Sequence, residues 1–72
     1  MVTFIGHGLL AGYSGEIECN APVILGVLIE NMNLPEDLKE NLLMVRDTLF
    51  IEDTELISGN DIVHIFIAPH GG

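Results

Sequence analysis

The sequence contains few aromatic residues, almost no cations and a single cysteine. Only 6% of its 72 residues are aromatic, and two lysines or arginines stand against eleven aspartates and glutamates. The resulting formal charge of -9 argues against binding of nucleic acid or anionic lipid, because both are polyanions that an acidic surface repels. The acidity suits docking onto a basic protein surface, and it would equally keep a small apolar domain soluble.

The lone Cys19 excludes a framework of internal disulfides. It alternates with Glu18 onto an apolar face, and no Lys, Arg or His lies near it in sequence, which predicts a buried structural thiol and not a nucleophile. No stretch approaches the ~20 apolar residues of a membrane span. The first residues lack the basic region of a signal peptide. We therefore predict a cytoplasmic protein that does not associate with membranes.

The hydrophobic content of 49% is high enough for a real core, which argues against disorder despite the charge. A chain of this length makes one small domain, which buries only about 60% of its unfolded surface. That leaves little structure for a deep enzyme pocket.

Alternation of polar and apolar residues, together with turn signals, predicts an α+β domain. The predicted strands are residues 1–5, 16–19, 43–45, 49–51 and 62–68. The first two strands would form a hairpin. A helix apolar around most of its circumference would follow, with Asn20 as its N-cap and Pro22 in its first turn. A short helical turn would begin near Leu34. The first and last strands would run parallel at the centre of the sheet, because a crossover through the helix separates them.

Two segments make the chain resemble a known family. Residues 56–63 read LISGNDIV, and residues 65–72 read IFIAPHGG. This combination is similar to the MoaD/ThiS-like sulfur carriers of molybdopterin and thiamine biosynthesis, which are ubiquitin-like β-grasp proteins. The long opening hairpin and Pro69 resemble the molybdopterin-synthase small subunit more than the thiamine carrier.

The resemblance covers essentially the whole chain, with two local departures. Asp47 and Thr48 stand where the family commonly has an Asn-Gly turn, and Gly6-His7-Gly8 replaces an Arg-containing run. The implied fold is a mixed sheet of four to five strands packed on one main helix. Residues 1–68 would form the β-grasp domain, and residues 69–72 would form a flexible tail that ends in Gly-Gly.

The implied chemistry resides in the tail. In such carriers an ATP-dependent activating enzyme adenylates the terminal carboxylate, and a sulfur-donor protein converts it to a thiocarboxylate. A synthase large subunit then receives the sulfur. Gly72 would carry the reactive group, and Gly71 would give it access, since glycine passes through a narrow channel without steric cost. The chain itself would be no enzyme and would bind no cofactor.

The last predicted strand supplies a candidate partner-binding surface. Val63, Ile65 and Ile67 form the better core set, which leaves His64 and Phe66 on the outer sheet face. These two residues, with Val45 on a neighbouring strand and His70 at the entrance to the tail, would dock the activating enzyme. The alternative is an inverted pattern or a loop that covers these side chains.

Other signals are weaker. His7, His64 and His70 lack the spacing of a paired-ligand motif, so no metal site is predicted. The glycines around His7 lack the Lys-Ser/Thr of a phosphate-binding loop and lead into a strand, which indicates a hairpin loop. Two other functions stay open. One is a carrier for thiamine or another sulfur-containing metabolite, and the other is a ubiquitin-like interaction module with an inert tail.

Overall fold

The computed structural model describes residues 1–68, which form a small α+β domain. Two α-helices, one 3-10 helix and seven strands occur in this part of the chain. The helices are α1 (Leu25–Asn31), α2 (Glu36–Lys39) and the 3-10 helix (Gly8–Tyr13). The strands are β1 (Val2–Gly6), β2 (Gly15–Ile17), β3 (Val23–Ile24), β4 (Leu42–Arg46), β5 (Leu49–Ile51), β6 (Leu56–Ile57) and β7 (Ile62–Ile67).

Five of the strands form one mixed sheet in the order β2-β1-β7-β4-β5. The predicted parallel pairing of the first and last strands is confirmed, with Phe4 beside Val63 in the register. The other three pairings in this sheet are antiparallel. β7 is therefore the central strand, paired with β1 as far as Ile65 and with β4 as far as Ile67.

The core lies between one face of this sheet and α1. Val2, Phe4, Val63 and Ile65 of the central strands are completely buried, as is Leu25 at the start of the helix. Leu10 of the 3-10 helix and Ile57 of β6 close the core at its margins. Burial of each such side chain stabilises the fold by about 1.5–3 kcal/mol. No polar side chain is buried among residues 1–68.

The predicted helix start at Asn20 is wrong. Val23 and Ile24 instead form β3, which pairs antiparallel with β6, and the helix begins only at Leu25. Two backbone carbonyls from elsewhere in the chain replace the side-chain cap. The amides of Leu25 and Gly26 each donate to a carbonyl of the 53–55 loop at 2.8 Å. Tertiary contacts thus satisfy the free N–H groups that a local N-cap would otherwise satisfy.

The opening hairpin also differs in detail from the prediction. Residues 8–13, predicted to belong to a hairpin loop, form a 3-10 helix whose Leu10 is fully buried. The chain passes so close to β1 here that a Cβ on Gly6 would lie 1.8 Å from the Leu10 carbonyl oxygen. The hydroxyl of Ser14 accepts the Gly6 N–H at 2.8 Å. The glycine at position 6 is thus needed for close packing.

The tight turn between β4 and β5 uses two residues that rarely adopt its conformation. Asp47 and Thr48 have φ values of 54° and 65°, the left-handed pair that a two-residue hairpin turn requires. The departure from an Asn-Gly pair therefore keeps the turn while placing a β-branched residue at positive φ, a strain of about 1–3 kcal/mol.

The LISGNDIV segment anchors the start of the central strand. Gly59 takes a φ of 60° in its turn, and the Asp61 carboxylate accepts the Ser58 N–H at 3.0 Å. Arg46 of β4 reaches across to this turn, where it donates to Asp61 at 3.3 Å and to the Leu56 carbonyl at 2.8 Å. The segment therefore has a structural role in addition to the resemblance that it carries.

The predicted tail, residues 69–72, lies outside the described residues, as do the functional predictions for His70, Gly71 and Gly72. Within residues 1–68, neither α-helix has the length and apolar character that crossing a membrane would require.

Candidate docking surface

The central strand divides its side chains between the two faces of the sheet. Val63 and Ile65 are completely buried against α1, while His64 and Phe66 alternate with them onto the opposite face and are half-buried. The structure therefore places both predicted residues on the outer face of the sheet. They are less exposed than the sequence suggested, because the ring of His7 covers part of them.

The strand register extends this outer face across four strands. Phe50 of β5 pairs with Val45 of β4, Val45 pairs with His64 of β7, and His64 pairs with Ile5 of β1. Paired residues in a sheet project from the same face, so these side chains form one continuous row. Phe50 is 74% exposed and ends the row at the sheet edge.

His7 joins this surface because the pairing between β1 and β7 continues beyond the end of β1. Its backbone amide donates to the Ile65 carbonyl at 3.0 Å, which sets its side chain beside Phe66. The two rings stack with centroids 4.3 Å apart and planes inclined by 9°. The centroid of the His64 ring lies 5.2 Å from that of His7 and 6.5 Å from that of Phe66, so the three rings form one cluster.

A hydrogen bond joins the two histidines. Nε2 of His7 lies 2.9 Å from Nδ1 of His64, so one of these nitrogens donates and the other accepts. The bond and the Phe66 stack restrict both imidazoles to one arrangement. A surface restricted in this way loses less side-chain entropy when a partner covers it.

An open groove of about 510 Å³ runs along this surface. Asp47 and Thr48 of the turn lie at its edge, and Val45, Ile62 and Phe66 supply its apolar area. We name His7, Val45, Phe50, Ile62, His64 and Phe66 the outer-face surface. The combination of apolar area with two fixed imidazoles suits recognition of a partner protein, in which aromatic side chains often dominate binding.

Both cations of the chain lie away from the outer-face surface. Lys39 pairs with Glu30 and Glu36, and Arg46 pairs with Glu55 and Asp61. Asp47 is the one charged side chain that lines the groove among residues 1–68. Binding at this surface would therefore depend on apolar contact more than on charge.

Three of the predicted partner-binding residues come together in space. Val45 and His64 are cross-strand neighbours, and Phe66 lies two residues further along β7. Sequence reasoning missed His7 and Phe50. The predicted parallel pairing of the first and last strands could have located His7 beside Phe66, whereas Phe50 depended on the register of β5.

The possible metal ligands and the thiol of Cys19 lie as follows in residues 1–68. No group of three or more His, Cys, Asp or Glu side chains gathers in a way that could hold a metal ion. Cys19 is a free, half-buried thiol packed against the margin of the core, which is less burial than predicted.

The sequence matches no family model, and no curated protein or solved structure is significantly similar to it. The function is therefore inferred from the residues themselves and from their arrangement.

Proposed function

We propose that this chain is a β-grasp sulfur carrier. Its Gly72 carboxylate becomes a thiocarboxylate that delivers sulfur in molybdopterin biosynthesis, in the cytoplasm. The observation that carries the proposal is the position of β7, a central strand that ends at Ile67 and leads within five residues to Gly71-Gly72.

Two further features of the chain support this function. The sheet order β2-β1-β7-β4-β5, with its parallel central pair and one main helix on one face, is compatible with a β-grasp fold. The outer-face surface flanks the same central strand, so a partner bound there would lie close to the end of β7. Both features suit a protein that presents its chain end to another protein's active site.

The proposed chemistry takes place in the partners. An oxygen of the Gly72 carboxylate attacks the α-phosphorus of ATP, pyrophosphate leaves, and an acyl-adenylate forms. The outer sulfur of a donor protein's persulfide then attacks the acyl carbon and AMP leaves. A thiol reductant attacks the donor's sulfur in the acyl disulfide so formed, which releases the thiocarboxylate and leaves the donor cysteine in a disulfide with the reductant. A synthase large subunit binds the charged carrier and transfers the sulfur to its substrate. This chain contributes the carboxylate, its access and the docking surface.

Intact-protein mass spectrometry tests the carrier function. The 72-residue chain is incubated with an activating enzyme for molybdopterin-type carriers, ATP and a sulfur donor. We expect a mass gain of one oxygen-to-sulfur exchange, located at Gly72 by fragmentation. If an established carrier gains sulfur in the same mixture and this chain does not, the carrier function is wrong, and an interaction module with an inert tail becomes the better account.

The same reaction tests the outer-face surface. We expect Phe66→Ala to raise the carrier concentration for half-maximal adenylation about tenfold, since truncation of a central interface aromatic costs about 1–2 kcal/mol or more. Phe50→Ser, at an exposed edge position, should also raise the carrier concentration for half-maximal adenylation, and it should disturb folding less. ATP–pyrophosphate exchange measures both variants, and circular dichroism confirms that they fold.

Val27→Ser is the matched control for these variants. Val27 is half-exposed on α1, which packs on the other face of the sheet, so its truncation should leave adenylation unchanged. Equal effects of Phe66→Ala and Val27→Ser, or no effect of any of the three, would show that the partner binds elsewhere.

A further inference from the structure

A second groove lies on the opposite side of the sheet from the outer-face surface. It runs between α1, α2 and β4, with a volume of about 470 Å³. Ile29, Leu42 and Met44 supply its apolar lining, and Gly26 allows the 53–55 loop to approach closely at one end. Four carboxylates stand around it, from Glu30, Glu36, Glu40 and Asp53.

The groove already holds one cationic side chain from this chain. Lys39 places its Nζ 3.3 Å from Glu30 and 3.2 Å from Glu36, and its side chain is only 18% exposed. The hydrogen bonds to Glu36 and Glu30 raise the pKa of Lys39. Its methylene stem is therefore shielded in the groove while its ammonium bridges two carboxylates, as is usual for lysine on apolar surfaces.

Among residues 1–68, neither Glu40 nor Asp53 forms an ion pair with a lysine or arginine. The chain has two cations in all, and the second, Arg46, is engaged with Glu55, Asp61 and the Leu56 carbonyl. The four carboxylates and one ammonium thus leave the groove with a net charge of about -3 when all are ionised. Because Lys39 and Arg46 are both engaged by other acceptors, a lysine or arginine partner for Glu40 and Asp53 would have to come from another molecule.

We propose that this groove docks a segment of a partner protein in which an aliphatic side chain is flanked by lysines or arginines. The aliphatic group would lie on Leu42 and Met44, and the flanking cations would reach Glu40 and Asp53. A second copy of this chain is a poor occupant, because each copy carries a formal charge of -9 and like charges oppose association. Since the groove and the outer-face surface lie on different sides of the sheet, two partners could bind together.

The test uses a fluorescein-labelled peptide, blocked at both ends, with a central leucine between two lysines and two arginines. Fluorescence anisotropy should show saturable binding, and amide shifts in ¹H–¹⁵N spectra should be concentrated at Gly26, Glu40, Leu42 and Asp53. The double variant Glu40→Gln/Asp53→Asn should weaken the affinity about tenfold or more. Replacement of the peptide's leucine by serine should weaken it as well.

Glu16→Gln/Glu18→Gln is the matched control, because it also removes two negative charges, one in the edge strand β2 and one just after it. It should lower the affinity far less than the groove variant. Equal losses of affinity in the two double variants, or an unchanged affinity when the leucine is replaced, would show that the peptide binds only by general charge attraction. Either result would overturn the proposal. No saturable binding below about 1 mM would overturn it too. The assay involves neither ATP nor Gly72, so its outcome is independent of sulfur carriage.

Discussion

Replacement of Gly71 by valine is expected to abolish thiocarboxylate formation while the domain stays folded. The proposed reaction requires the last residues to enter a narrow channel in the activating enzyme, where a branched Cβ has no room and restricts φ and ψ. Displacement of a reacting group by about 1 Å can cost a hundredfold in rate, so we expect at least a hundredfold loss. Intact-protein mass spectrometry after incubation with ATP and sulfur donor measures it.

The effect on the fold separates this prediction from a general loss of stability. Residue 71 lies four positions beyond Ile67, the last residue of β7, and the buried core is built from residues 2–65. The midpoint temperature of unfolding of Gly71→Val should therefore match that of the parent chain. Gly71→Ala should form more thiocarboxylate than the valine variant because its Cβ is unbranched. If Gly71→Val gains sulfur at the parent rate, the channel-threading role of the diglycine is wrong.

Replacement of Gly6 by alanine should unfold the domain or come close to it. The new Cβ would lie 1.8 Å from the Leu10 carbonyl oxygen and 2.5 Å from its carbonyl carbon, so backbone must move on one side of the contact. The movement would pull Leu10, which is completely buried, out of the core. A domain of this size has a net stability of about 4–10 kcal/mol, and we expect a loss of at least about 3 kcal/mol. Urea unfolding followed by circular dichroism measures it.

Gly12→Ala is the matched control for this prediction. Nothing lies within 4 Å of the position that its Cβ would take, and Gly12 is not among the residues with positive φ. The free energy of unfolding of this variant should lie within about 0.5 kcal/mol of the parent value or slightly above it, since alanine restricts the unfolded chain more than glycine does. A stable, parent-like Gly6→Ala would mean that the 3-10 helix does not pack on β1 as described.

Local sequence patterns predicted much of the fold correctly. The β-branched alternation of residues 62–67 was enough to predict the strand and its two faces, with Val63 and Ile65 inward. The first and last strands were predicted to be parallel neighbours because a crossover through the helix separates them in the chain. Their pairing is parallel. These predictions succeed because periodicity and chain connectivity act over short distances or through simple geometry.

Local patterns failed where distant backbone atoms replaced local side chains. Asn20 and Pro22 are good helix-start residues, yet the carbonyls of Asp53 and Glu55 cap the helix at Leu25 and Gly26. The turn at Asp47 and Thr48 lacks the glycine that such turns favour, and the pairing of β4 with β5 holds it in place. In both places tertiary pairing outweighs a propensity of about 1 kcal/mol.

The candidate sites also include features that the sequence predicts and features that only the folded chain shows. The sequence by itself determined the diglycine tail, the apolar alternation of the central strand and the acidity of the chain, because these are properties of residue type and order. Only the tertiary structure placed His7 on Phe66 and against His64, and only it gathered Glu30, Glu36, Glu40 and Asp53 along one groove. Those contacts join residues up to 57 positions apart, and such pairings follow from strand register and helix packing, which no local pattern specifies.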